Sequence, residues 1–131
     1  MHVYKMKDKT DKFTVKKSPM FDLPMRLLMI GRTGCGKSNL LGNLLLRPEM
    51  YRDDFLPENI YIFSGSLKGD VKLHTIIEQL EIPESNLFDN FDEEVGHIIY
   101  DDIVEKFNDA VEAKEKPEQS LIIFDDLGFT N

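Results

Sequence analysis

Apolar positions along the chain fall into short runs separated by stretches of helical period, a pattern that predicts strands interleaved with helices. Arg26-Leu27-Leu28-Met29-Ile30 reads as the first central strand, after a short strand at Phe13-Thr14-Val15 and the loop signals Ser18-Pro19 and Leu23-Pro24. Leu40, Leu41, Leu44 and Leu45 then give a broad apolar face to a helix that begins near Lys37 and that Pro48 stops. Asn59-Ile60-Tyr61-Ile62-Phe63 is a second strand, entered from the turn-like Leu56-Pro57-Glu58 and left through Ser64-Gly65-Ser66. Asp70 can cap a helix whose Leu73, Ile76, Ile77 and Leu80 share one face, and Pro83 closes it. Asn90 with Glu93 resembles a capping box. Behind it Val95, Ile99, Ile103, Phe107 and Val111 repeat every four residues along a longer helix, which Lys114 and Lys116 suit and Pro117 ends. The last apolar run, Leu121-Ile122-Ile123-Phe124, closes on Asp125-Asp126. The alternation predicts an α/β domain with a mainly parallel sheet and right-handed crossovers.

The junction after the first run carries the chemistry. Gly31-Arg32-Thr33-Gly34-Cys35-Gly36-Lys37-Ser38 fits G-x-x-x-x-G-K-[ST], the phosphate-loop pattern, between a predicted strand and a predicted helix. A triphosphate needs several donors converging on a small volume, and the three glycines allow successive backbone N–H groups to turn inward as an anion nest. The helix start adds its unpaired N–H groups and the positive end of its dipole. Lys37 is expected to reach the β and γ phosphates, and the Ser38 hydroxyl to ligate Mg²⁺. Asn39 completes the expected ATP-binding segment from Gly31 onward.

Asp125 and Asp126 have the look of a Walker B ending. An uninterrupted apolar run suits a strand buried on both faces of a parallel sheet, and acids at its carboxyl end face the phosphate loop. Asp125 is the expected Mg²⁺ residue. Asp126 stands where many ATPases carry a Glu that polarises the attacking water, and is the expected catalytic acid beside Lys37.

Composition narrows the setting. The 131 residues suit one domain with its own core, with residues 1–20 as a basic arm and 21–131 as the nucleotide-binding core. The net charge is −8, but the arm sets six Lys against two Asp, a balance of +4, so the remainder carries −12. Such an acidic body has no broad basic face for DNA, and contact with nucleic acid is expected only through the arm or through assembly. No run approaches the length of a membrane span, and an intracellular setting with no membrane partner is the expectation. The single Cys35 excludes an internal disulfide and a cysteine cluster for zinc. Asp89, Asp92, Glu93 and Glu94 lack the spacing of a calcium loop. His2, His74 and His97 have no ligand spacing and read as surface or boundary residues.

On these motifs the chain resembles the P-loop NTPases, and more narrowly the poxvirus-type viral genome-packaging ATPases related to the FtsK-HerA translocases. The likeness rests on residues 28–41, on Ile60-Tyr61-Ile62-Phe63-Ser64 and on residues 121–126, and spans about residues 25–128. It implies a three-layer sandwich, incomplete at the C-terminus because a further sensor-bearing strand follows Walker B in that family. It also implies ATP hydrolysis with Mg²⁺ in a homo-oligomeric ring that moves DNA, in a virion or the cytoplasm of an infected cell.

Three other readings stay open. Asp125-Asp126-Leu127-Gly128 also fits the D-x-x-G element of a GTPase, although no N-K-x-D motif is present. A nucleotide or small-molecule kinase would need an acceptor pocket and a basic lid, and no Arg-rich segment follows the central helices. A nucleotide-binding assembly module without turnover is the non-enzymatic alternative, since Asp126 is shorter than the usual Glu.

Overall fold

The computed structural model describes Lys16, residues 20–30 and residues 36–127. In chain order the regular elements are α1 (Lys37–Leu46), β1 (Phe55–Ser64), α2 (Val71–Leu80), β2 (Leu87–Phe88), α3 (Glu93–Glu112) and β3 (Gln119–Asp125). The three strands form one parallel sheet in the order β2-β1-β3. The predicted α/β class and parallel sheet are therefore present. The Phe13–Val15 strand and the Ser18-Pro19 loop signal lie outside the described residues.

β1 is central, and its residues from Asn59 to Ser64 are all buried. Its alternation sorts the layers. Ile60 and Ile62 pair with Leu121 and Ile123 of β3 and pack under α1 and α2, where Leu45, Leu73 and Ile76 are buried. Tyr61 and Phe63 point to the opposite face and pack with Ile99, Val95 and Ile103 of α3. Helices thus cover both faces, and each fully buried Ile or Phe contributes about 1.5–3 kcal/mol of burial. On the α3 side Phe63 stacks on Phe88 at 4.7 Å and on Phe124 at 5.5 Å between ring centroids.

Several elements differ from the sequence expectation. Arg26–Ile30 forms no strand; Leu28 is 81% and Ile30 86% exposed, and the segment faces β3 across a cleft instead of pairing with its edge. An apolar run becomes a strand only where an edge is within hydrogen-bonding distance. Leu56-Pro57-Glu58 lies inside β1, where the pairing with β3 is irregular between Phe55 and Ile60. The irregularity accommodates Pro57, which has no N–H for the ladder. β2 was not legible: two residues are too short to show a period.

The start of α3 is capped by Asp92, whose carboxylate accepts from the Glu94 amide at 2.9 Å, and not by Asn90. The four-residue repeat on α3 also drifts, because four residues advance about 40° beyond a full turn. Ile99 is buried, whereas Phe107 is 37% exposed. Leu40 is likewise turned outward, and β3 is not buried on both faces: Phe124 is 59% exposed on this edge strand.

One arm residue is tied to the body. Lys16 Nζ meets Asp54 Oδ2 at 2.7 Å and lies over the Tyr51 ring. The Tyr51 hydroxyl accepts from the Phe21 amide at 2.7 Å and donates to the Phe21 carbonyl at 2.8 Å, which anchors the segment leading to the cleft.

Candidate functional site

In a parallel sheet the strands end on one edge, and the loops beyond that edge form the common ligand position. β1 ends at Ser64 and β3 at Asp125, which are paired in register, so their following loops leave the sheet side by side. α1 starts beside them. A cleft of about 600 Å³, of the size that holds a small-molecule ligand, is lined by Lys37, Ser38, Asp125 and Asp126 at this end. It continues along β3 to apolar walls that include Leu23, Leu44, Tyr51 and Phe55.

Gly36 is the residue before α1 and has φ 99°, a left-handed conformation that glycine adopts without Cβ strain. It provides no side-chain cap, and the first turn of α1 carries no acid. α2 and α3 differ: each has an Asp side chain bonded to a first-turn amide. The start of α1 therefore keeps the electrostatic character that attracts an anion, with Lys37 and Ser38 on its first turn. Gly31, Arg32, Thr33, Gly34 and Cys35 lie outside the described residues. Asn39 is exposed and does not line the cleft.

Asp125 is held from β1. Its Oδ2 accepts from Ser64 Oγ at 3.0 Å and from Ser66 Oγ at 3.4 Å, while the Ser66 amide donates to Ser64 Oγ at 3.2 Å. Two hydroxyls on one carboxylate oxygen fix the direction of the other. Asp126 is exposed, with φ 45°, a left-handed conformation that Asp tolerates better than most residues. That turn is fitted to Gly65, whose amide donates to the Asp125 and Asp126 carbonyls, each at 3.2 Å. A Cβ on Gly65 would collide with the Asp126 carbonyl oxygen.

Ser38 finds a partner that the motifs do not name. Its hydroxyl donates to Asp70 Oδ2 across a long 3.4 Å, while Asp70 Oδ1 accepts from the Leu73 amide at 3.1 Å as the cap of α2. Asp70 is recognisable in the sequence as a helix cap, but its second role depends on α1 packing against α2. Ser64, Gly65 and Ser66 were readable only as the exit from a strand; their position at the carboxyl edge is the signal that brings them into the site.

Among the described residues no three His, Cys, Asp or Glu side chains are grouped so as to hold a metal by themselves. Mg²⁺ has a different requirement: one or two protein oxygens, with phosphate oxygens and water completing an octahedron. The Ser38 hydroxyl and the Asp125 carboxylate are hard oxygen donors on one cleft and fit that requirement. Among the described residues no helix is long and apolar enough to cross a membrane. Compared with known proteins, the chain matches no family model, and neither a curated protein nor a solved structure matches it significantly.

Proposed function

We propose that this protein binds ATP with Mg²⁺ and hydrolyses it, as the ATPase core of a homo-oligomeric motor that moves DNA. One observation carries the ATP reading: Lys37 and Ser38, at a helix start whose N-cap residue is Gly36, share a cleft with Asp125 and Asp126 at the end of β3. Phosphate oxygens would be held by the α1 amides and the Lys37 ammonium. Ser38 and Asp125 are the residues that would hold Mg²⁺, which when bound neutralises the charge of the β and γ phosphates.

Asp126 is an exposed acid among the residues lining the cleft, and as a general base it would take the proton of the attacking water. The Ser64 and Ser66 hydroxyls keep Asp125 oriented throughout. The DNA-moving role is supported by the resemblance of the motifs to packaging ATPases and is the more distant step. Phosphate release from ATP and from GTP, measured with and without double-stranded DNA, tests both steps. ATP turnover raised by DNA is the expected result. Preference for GTP makes the protein a GTPase, and Mg²⁺-dependent binding without turnover makes it an assembly module.

A further inference from the structure

We infer that Asp70 is a positioning residue for the divalent cation at the proposed triphosphate site, acting through the Ser38 hydroxyl. The inference rests on the ATP reading above and extends it to a residue outside both motifs. A hydroxyl that ligates a cation must present an oxygen lone pair to it and send its proton elsewhere. In this structure the proton acceptor for Ser38 is Asp70 Oδ2, at 3.4 Å, and not Asp125, whose Oδ2 already accepts from Ser64 and Ser66.

The geometry holds Asp70 to this direction. Its Oδ1 is occupied by the Leu73 amide at 3.1 Å, and its own amide donates to the Ser66 carbonyl at 2.9 Å. The short segment from Ser64 to Asp70 therefore bonds to two residues that line the cleft, Asp125 and Ser38. At one end its hydroxyls hold Asp125, and at the other its carboxylate accepts the Ser38 hydrogen bond. With that proton directed at Asp70, the Ser38 oxygen keeps its lone pairs for a cation on the cleft side, and the carboxylate adds a negative charge behind it.

The test is calorimetric titration of the whole chain with ATP, with and without Mg²⁺, on the wild type, Asp70→Asn, Ser38→Ala and the double variant. Asn caps helices as well as Asp does, so Asp70→Asn preserves α2. Its amide would donate to the Ser38 oxygen, occupying a lone pair, and it removes the charge. The gain in ATP affinity on adding Mg²⁺ is expected to fall about tenfold in Asp70→Asn. Affinity without Mg²⁺ should stay level or rise, because a carboxylate near the phosphates has been neutralised. Ser38→Ala should lose the same gain, and the double variant should lose no more than Ser38→Ala alone.

If Asp70→Asn folds poorly, Asp70→Ser retains a capping oxygen too short to reach Ser38 and should give the same loss. A wild-type Mg²⁺ gain in Asp70→Asn overturns the inference. Equal losses with and without Mg²⁺ also overturn it, since they would mean that Asp70 only holds the fold. A wild type that binds ATP in neither condition overturns the ATP reading itself, and the inference with it.

Discussion

Replacing Gly65 by Ala joins the fold to the site in one perturbation. Gly65 does not need glycine for its own backbone angles; among the described glycines only Gly36 has a positive φ. It needs glycine because an added Cβ would overlap the Asp126 carbonyl oxygen. To reach van der Waals separation the two strands' exits must part by roughly 1 Å. That movement stretches the 3.2 Å bonds from the Gly65 amide to the Asp125 and Asp126 carbonyls beyond useful length.

Two hydrogen bonds are worth about 0.5–1.5 kcal/mol each, and water can replace part of them because Gly65 is exposed. Adding the overpacking strain, the expected loss of stability is about 1–3 kcal/mol. Urea unfolding measures it, with Gly69→Ala as the control, since a Cβ there meets nothing within 4 Å. The same displacement moves Asp125 and Asp126 relative to Lys37, so affinity for Mg²⁺-ATP should also fall. Equal midpoints for wild type and Gly65→Ala would refute the close approach of the two strand ends.

Tyr51→Phe removes a hydroxyl that satisfies both the amide and the carbonyl of Phe21, and should cost about 1–3 kcal/mol in the same assay. Asp92→Ala should destabilise by about 1 kcal/mol through loss of the α3 cap, while Asn90→Ala stays within about 0.5 kcal/mol; the reverse order would restore the capping box at Asn90. Asp126→Asn keeps a residue that tolerates the left-handed angle, so stability and Mg²⁺-ATP affinity should hold while phosphate release is lost. Undiminished turnover in that variant would remove Asp126 from the chemistry.

The residues that announced themselves in the sequence did so through local rules. Pro48 and Pro83 mark the ends of α1 and α2, Asp70 caps α2, and the apolar run before Asp125-Asp126 is a strand, because each is decided within a few residues. What escaped the sequence depended on neighbours distant in the chain. The Arg26–Ile30 run has the composition of a strand but lies across a cleft from the free edge of β3, and its apolar side chains at Leu28 and Ile30 lie open. β2 exists because β1 offers Ile62 and Phe63 as partners to Leu87 and Phe88.

The same division runs through the site. Lys37, Ser38, Asp125 and Asp126 follow from motif spacing and share the cleft. The hydroxyls of Ser64 and Ser66 and the second oxygen of Asp70 enter only when α1, α2 and the strand ends are assembled. A parallel sheet makes this unavoidable, since the loops that meet at its carboxyl edge are separated in sequence by whole helices.

The central claim is that the α1 start and the β3 end together form a triphosphate site, and calorimetric titration with Mg²⁺-ATP of wild type beside Lys37→Ala tests it most directly. Saturable 1:1 binding by the wild type and at least a thirtyfold loss in Lys37→Ala are expected, roughly 2 kcal/mol for the missing charge-assisted contact. Equal affinity in the two proteins, or no binding to a folded wild type, would contradict it.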